Sequence, residues 1–244
     1  MMSRLRHTVC CLCLTLFLGT ASWLHAQEGI FNLRDFDSRL MHYGIQVGYS
    51  QSKFDFNFID NDEIRQKMLG VRSYYTAGFH ISIIADLRLG GYFNLRTLPG
   101  ILLLTRNLNY LWQPDYAAQT PLLDHSRAVE SVYGDIPIEI KFRAWRYGNF
   151  RPYVTGGGSY AFDFSSLRKN KNNNQESIIR LQANNFSYSM GVGADFFMRY
   201  VKFAIDLKFS FGTIDLLIPD DELYTRSIEK LKTRTVLLSF TFEG

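Results

Sequence analysis

The chain has 244 residues, of which 15% are aromatic and 20% are charged, and its formal net charge is +4 at pH 7. This near-neutral balance gives no indication of nucleic-acid binding, which requires a basic surface. The length is suitable for one β-barrel domain or for two small domains.

The N-terminal segment, residues 1–26, has the layout of a secretory signal peptide. Arg4 and Arg6 precede an apolar run from Val9 to Leu18, and small residues follow as far as Ala26. The apolar run is about half of the ~20 residues that a membrane-spanning helix needs. Removal of this segment takes both arginines, so the net charge falls to about +2. It also takes all three cysteines, Cys10, Cys11 and Cys13.

Eight segments with alternating apolar and polar residues follow a predicted periplasmic arm at 27–41. They lie at about 42–56, 75–88, 92–112, 132–145, 150–164, 186–197, 201–212 and 232–242. Because side chains on a strand point to opposite faces in turn, this pattern predicts strands with two different faces. Pro99 and Pro137 fall inside two of these segments, where we expect bulges or strand ends.

The connections between the strands alternate strictly between short and long. The short ones contain Gly90-Gly91, residues 146–149 and residues 198–200, whereas the long ones cover about 51–73, 113–131, 165–185 and 218–231. An outer-membrane barrel has this layout, with short periplasmic turns and longer extracellular loops. The sequence therefore predicts that 42–244 form an all-β, eight-stranded, antiparallel up-and-down transmembrane β-barrel.

The volume of the side chains indicates which face of each strand is inside. The lumen of an eight-stranded barrel is only just filled by side chains or holds one small ligand. The apolar faces carry too many phenylalanines for such a lumen, among them Phe79, Phe142 and Phe209. The opposite faces are rich in glycine, serine and charged residues, so we expect apolar residues outside and small and charged residues inside.

Ten charged residues share the inward parity and form a predicted polar cluster in the lumen. They are Arg88, Arg96, Glu139, Lys141, Arg143, Arg151, Asp195, Lys202, Asp206 and Lys208. Both signs are present, so the charges can pair across the lumen and avoid the cost of burying an unpaired ion. The cluster is either a gated polar path or a salt-bridged plug that fixes the shape of the barrel, and we favour the plug.

No residue pattern points to catalysis, a metal or a cofactor. His80, Ser82 and Asp86 invite comparison with a catalytic triad, but their spacing along one strand places them side by side without an oxyanion hole. No cysteine or paired-histidine spacing suggests a metal site. The run Gly156-Gly157-Gly158 has no helix after it and indicates a bend or close packing in the barrel, not a phosphate loop. We therefore predict that the protein is not an enzyme.

Lipid and lipopolysaccharide of the outer membrane are the expected surroundings of such a barrel. Polar-tipped aromatic residues near strand ends are typical of the two membrane interfaces. They are Tyr75, Tyr92, Trp112, Trp145, Tyr147, Tyr160 and Tyr200. The run KNKNNN at 169–174 is either a contact for anionic lipopolysaccharide or a solvated loop tip, and the loop tip is the simpler interpretation.

Several phrases of the sequence carry a resemblance to a known family. The most specific are Asn94-Leu95-Arg96 with Leu98-Pro99-Gly100, and Gly148-Asn149 directly before Arg151-Pro152-Tyr153. They lie within longer stretches that look like the PorT family of outer-membrane barrels associated with the type IX protein secretion system. The likeness spans nearly the whole chain after the signal peptide and implies a role in exporting proteins such as proteases, with other secretion subunits as partners.

The predicted fold limits what that role can be. An eight-stranded barrel is too narrow to pass a folded protein, so the resemblance implies an accessory or assembly subunit and not the conduit. Two other classes stay open at this point: an outer-membrane enzyme, and a stand-alone adhesin or small-molecule barrel.

Overall fold

A computed structural model of the protein describes residues 31–59, 66–113, 126–165, 181–218 and 226–244. The chain separates into two compact units, Met1–Phe31 and Asn32–Gly244, and the second unit is the barrel. The predicted signal peptide and the KNKNNN run lie outside the described residues. No helix in the described ranges is long and apolar enough to cross a membrane.

A short 3-10 helix, Phe36–Ser38, precedes ten strands. They are β1 (Met41–Phe58), β2 (Met68–Tyr74), β3 (Thr76–Arg88), β4 (Phe93–Thr97), β5 (Gly100–Trp112), β6 (Ser126–Arg143), β7 (Phe150–Asp163), β8 (Asn184–Phe197), β9 (Lys202–Gly212) and β10 (Ile228–Glu243). β2 and β3 are two parts of one strand interrupted at Tyr75, and β4 and β5 are two parts of one strand interrupted at Leu98-Pro99. Every pairing is antiparallel, and β1 pairs with both β10 and β3, which closes the ring. The prediction of an eight-stranded up-and-down barrel is confirmed.

The ring has two distinct ends. The turn end carries the short connections 89–92, 144–149 and 198–201, and the loop end carries the four long connections 59–67, 113–125, 164–183 and 213–227. β2, and the first residues of β6 from Ser126, lie where the sequence predicted loops. The strands therefore extend further toward the loop end than the sequence indicated.

The strands are staggered around the ring. The stagger is measured along a path that steps from each residue to its paired residue on the next strand. This path passes through Tyr43, Ala85, Thr97, Ile138, Gly158, Tyr188, Phe211, Arg234 and Lys53. The path starts at position 43 of β1 and returns to β1 at position 53, a stagger of ten residues. Stagger and strand number together set the tilt and the diameter of a barrel, and eight strands leave a lumen that side chains fill.

Two irregularities lie in the strands made of two parts. The strand made of β2 and β3 has three residues between Tyr74 and Gly78. Its partner β5 has two residues between Leu104 and Asn107, so the extra residue forms a bulge near Tyr75. The interruption at Pro99 agrees with the expected strand end.

Pro137 behaves differently from the expectation of a bulge or strand end. β6 passes through it without a register shift against β7. The Pro137 carbonyl accepts hydrogen bonds from the Leu98 amide at 3.4 Å and from the Thr97 hydroxyl at 2.9 Å. The nitrogen of Pro137, which carries no hydrogen, therefore faces the gap between β4 and β5. The ladder is already interrupted there, so the absence of an N–H group removes no further hydrogen bond.

The two faces of the strands differ as predicted over the turn-end half and the middle of the barrel. Outward residues such as Phe79, Ile83 and Ile138 are 62%, 64% and 58% exposed, whereas inward Ser82 and Glu139 are buried. A continuous band of exposed apolar side chains around a closed ring is suited to lipid and not to water.

The interior of the loop end is apolar, which corrects the prediction of a small and charged lumen there. The cluster contains Phe54, Leu108, Tyr110, Trp112, Val129, Leu181, Leu216, Leu217, Ile228 and Leu231. The strands extend far enough that their inner faces pack against residues 216 and 217, beyond the end of β9, and apolar contact fills the space. Trp112 is buried in this cluster and not at a membrane interface as predicted, whereas Trp145, Tyr147 and Tyr200 are exposed at the turn end.

The three consecutive glycines of β7 give a matched pair of substitutions. A Cβ on inward Gly157 would collide with the Ile138 carbonyl and lie 2.7 Å from Glu139 Cα, whereas a Cβ on outward Gly156 would have its nearest neighbour at 3.9 Å. We expect Gly157→Ala to lower the free energy of unfolding by roughly 1–3 kcal/mol, and Gly156→Ala to change it by about 0.5 kcal/mol or less. Urea unfolding in detergent micelles measures both, and equal losses would contradict close packing at Gly157.

Candidate functional site

The centre of the polar network in the lumen is Arg96 on β4, which is 1% exposed. Its guanidinium lies 3.0 Å from Glu243 on β10, 3.9 Å from Asp206 on β9 and 4.0 Å from Asp86 on β3. Asp206 also accepts a hydrogen bond from the Tyr153 hydroxyl. One buried arginine is thus shared by carboxylates from three strands, and their mutual attraction offsets the cost of removing these charges from water.

Two lysines complete this lumen network. Lys202 on β9 lies 2.6 Å from Glu243, and Lys141 on β6 lies 2.9 Å from Asp195 on β8. The Lys141 ammonium is also 3.6 Å from the centre of the Tyr153 ring. The network therefore connects β3, β4, β6, β7, β8, β9 and β10 through side chains that cross the bore.

A second ion pair lies closer to the middle of the barrel. Lys208 on β9 pairs with Glu139 on β6, and the Ser189 hydroxyl lies 3.4 Å from the same carboxylate. Each charge is two positions nearer the loop end than its neighbour in the lumen network, Asp206 or Lys141. The charges are closely paired, as a salt-bridged plug requires.

Three of the predicted residues, Arg88, Arg143 and Arg151, lie at the mouth of the turn end and bind the arm. The Asp37 carboxylate lies 2.7 Å from Arg151, 3.3 Å from Arg143 and 3.7 Å from Arg146. Arg88 donates to the backbone carbonyl of Asp37. These arginines therefore converge on one residue that precedes the first strand.

Residues 32–40, called here the docked arm, close the turn end. Phe36 is buried and stacks on His42, with ring centres 4.0 Å apart, and its carbonyl lies 2.6 Å from His42 Nε2. The edge of the Phe197 ring contacts Phe36, and the Asn32 side chain donates to the Phe197 carbonyl at 3.0 Å. The ammonium of Lys202 is 4.7 Å from the centre of the Phe36 ring, so the arm rests directly on the lumen network.

The arginines at the mouth control the ionisation of Asp37. Burial acts to raise the pKa of Asp37, but the hydrogen bond from Arg151 and the charges of Arg151, Arg143 and Arg146 outweigh it. The pKa of Asp37 therefore lies below its ordinary value of 3.8. Asp37 is an anion throughout the neutral range, so the docked arm is held electrostatically.

Sequence reasoning missed several members of these sites. Glu243 continues the inward parity of Ser239 and Thr241 on β10, and that alternation could have identified it. Asp37 lies outside any periodic segment, so the alternation that identified the polar cluster could not include it. Arg106 faces the same side of β5 as Leu104 and Leu108. Because that side is apolar near the loop end, the alternation did not identify Arg106 as an inward charge.

The residues that invited a triad comparison are not hydrogen-bonded to one another, among the bonds that the described residues form. Ser82 donates to the Gln46 side chain at 3.2 Å, and Asp86 bonds to Asn94 and faces Arg96. Both ring nitrogens of His80 lack a hydrogen-bond partner among the described residues. In the part of the chain that the structure describes, no three His, Cys, Asp or Glu side chains are grouped as metal ligands.

Three solved outer-membrane proteins illustrate the distant structural likeness. OprG from Pseudomonas aeruginosa is 12% identical with a TM-score of 0.41, and the match covers 84% of this chain and 94% of that chain. Neisserial surface protein A is 10% identical with a TM-score of 0.40 and coverages of 82% and 95%. Ail of Yersinia pestis is 13% identical with a TM-score of 0.39 and coverages of 84% and 100%. No curated protein sequence matches the chain.

A family model gives the assignment directly. The model described as "Outer membrane protein beta-barrel domain" matches residues 26–217, which is most of the chain and includes β1 to β9. The closed ring, the outward apolar band and the paired polar lumen described above agree with that assignment. The chain therefore belongs to the outer membrane protein beta-barrel domain family, and it is an integral protein of the outer membrane.

Proposed function

We propose that this protein is an accessory or assembly subunit of the type IX secretion system, required for the export of proteins such as proteases but not itself their conduit. The secretion role is supported by the resemblance of Asn94-Leu95-Arg96, Leu98-Pro99-Gly100 and Arg151-Pro152-Tyr153 to the PorT family. Its proposed partners are other secretion subunits, together with the surrounding lipid and lipopolysaccharide. We propose no catalytic role for His80 or any other residue.

The accessory role is supported by one observation, which is that the lumen is obstructed at three successive levels. The docked arm covers the turn end, the lumen network crosses the bore above it, and the apolar cluster occupies the loop end. A folded domain of 100 residues has a radius of gyration of about 13 Å, which already exceeds what an eight-stranded lumen admits. Contacts with other subunits are therefore left to the outer surface, the long loops and the arm.

The obstruction predicts the electrical behaviour of the isolated barrel. In planar lipid bilayers, we expect the purified protein to give no stable large conductance. We expect the same for Asp37→Asn, because the lumen network lies behind the arm and still crosses the bore. Wide, long-lived channels from either protein would contradict an accessory role.

Deletion of the gene tests the secretion role itself. We expect proteins that are normally exported to accumulate inside the cell, and a plasmid copy of the wild-type gene to restore their export. Purification in mild detergent should bring down other secretion subunits, whereas a solitary adhesin or enzyme barrel would bring down none. Unchanged export in the deletion strain would refute the proposal while leaving the fold intact.

A further inference from the structure

A cavity lies in the lumen between the Glu139–Lys208 pair and the apolar cluster of the loop end. Its volume is about 70 Å³, which is room for a few water molecules or one small ion. Its lining combines apolar side chains such as Leu104 and Leu237 with polar ones such as Arg106, His80 and Asp135. The lumen network and the apolar cluster leave this space unfilled, so the chemistry of its lining determines which occupant it can hold.

Arg106 on β5 is a buried cation that forms no ion pair with any described carboxylate. Its side chain is fully buried, and its one hydrogen bond runs from Nη2 to the Tyr133 hydroxyl at 2.6 Å. Nε and Nη1 have no hydrogen-bond partner in the part of the chain that the structure describes. Among the described residues, no carboxylate lies within salt-bridge distance of it, whereas Arg96, Lys141, Lys202 and Lys208 all have one. A buried cation without a counter-ion is strongly unfavourable.

The aromatic rings beside Arg106 compensate its charge only in part. The Phe54 and Tyr133 rings lie 4.7 and 5.2 Å from the guanidinium carbon. A ring face attracts a cation, but it does not accept the N–H bonds of the guanidinium as an anion does. The unpartnered nitrogens of Arg106 therefore still lack acceptors.

The acidic residues that line the cavity, Asp135 and Glu139, form no salt bridge with Arg106. The backbone of Asp135 is six positions along β6 from Val129, the sheet partner of Arg106, which is about 20 Å along the strand. Glu139 lies beyond Asp135 and is already paired with Lys208. The lining of the cavity holds further polar atoms that have no hydrogen-bond partner among the described residues, including both nitrogens of His80 and Asn185 Oδ1. These atoms indicate a polar occupant and not an empty apolar void.

We propose that this cavity is a binding site for a small anion of carboxylate size, held by the Arg106 guanidinium. The anion supplies the acceptors that Nε and Nη1 lack and a counter-charge at salt-bridge distance, which no described carboxylate provides. The volume limits the ligand to a species such as formate or acetate, and the neighbouring leucines tolerate a short apolar group. This site does not depend on the secretion role.

The test supplies the anion during refolding, because the arm and the apolar cluster close both ends of the lumen. Full-length protein is refolded in detergent micelles with sodium formate, or with sodium gluconate at the same ionic strength as an anion too large for the cavity. We expect formate to raise the midpoint of thermal unfolding by roughly 2–4 °C. The rise should saturate with concentration, be absent in Arg106→Gln, and persist in Arg234→Gln, which alters an exposed arginine.

A second comparison keeps the proposal testable if Arg106→Gln folds poorly. Arg106→Lys retains the positive charge and should retain a reduced formate effect. In gluconate, Arg106→Gln should be at least as stable as the wild type, and formate should reverse that order. An equal formate response in the wild type and Arg106→Gln, or no saturable response in the wild type, would overturn the site and leave water as the occupant.

Discussion

Replacement of Arg96 by methionine is expected to lower the free energy of unfolding by about 3–5 kcal/mol. The substitution removes the cation that Asp86, Asp206 and Glu243 share and leaves these carboxylates in the lumen. Lys202 remains beside Glu243, but no other described cation lies at salt-bridge distance from Asp86 or Asp206. Urea unfolding of the protein in lipid vesicles, followed by tryptophan fluorescence, measures the loss.

An exposed ion pair on the same barrel gives the matched control. Arg234 pairs with Asp55 at 2.7 Å, and both side chains are more than 40% exposed. Because water screens such pairs, Arg234→Met should cost at most about 1 kcal/mol. The double variant Arg96→Met with Glu243→Gln should lose less than the sum of the two single variants, since it also removes one of the uncompensated charges. Similar losses for Arg96→Met and Arg234→Met would show that the lumen network is not what stabilises the bore.

The outward apolar band and the strand count could be predicted from the sequence because the membrane imposes a simple rule on both. A strand that faces lipid on one side and a narrow polar bore on the other must alternate at every residue. The stretch that became β9 alternates over its whole length, and its exposed side chains, such as Leu207 and Phe209, are on the predicted face.

The loop end could not be predicted from the same rule. There the alternation weakens, as in the three leucines from Leu102 to Leu104, and the bulge at Tyr75 shifts the inward parity by one residue. Leu216 and Leu217 contact the strands only through the three-dimensional fold. Arg106 therefore appeared to be one polar residue in an apolar run, and its burial became evident only when its neighbours were placed.

The docked arm escaped prediction for a different reason. Asp37 lies in a segment without periodicity, and three of its partners, Arg143, Arg146 and Arg151, are more than 100 positions away in the chain. Only the closure of the barrel brings the end of β6 and the start of β7 against residues 32–40. A site made from one local turn and several distant strands leaves no spacing for sequence analysis to detect.

The substitution Asp37→Asn is expected to have the second large effect, which is a weaker docking of residues 32–40. The variant keeps the shape of the side chain but loses the charge that faces three arginines, and hydrogen bonds to charged groups contribute about 1.5–3 kcal/mol each. A loss of about 3 kcal/mol increases the undocked fraction of the arm roughly 100-fold. Hydrogen exchange of the amides in residues 32–40 measures that fraction, and the strands of the lumen network serve as the internal control because their protection should not change.

Acid should produce the same release in the wild type. The pKa of Asp37 is lowered in the docked state, so its contribution to docking is fully present above about pH 3.8, the ordinary value of the carboxyl. That contribution is lost as the pH falls through the lower pKa that Asp37 has in the docked arm. The undocked arm binds the proton more readily than the docked arm, so protonation of Asp37 favours undocking. Hydrogen exchange of residues 32–40, corrected for its intrinsic pH dependence, should therefore rise below pH 4 in the wild type and stay constant in Asp37→Asn. A parallel acid response in both proteins would assign the release to another group, and docking through Asp37 would be refuted.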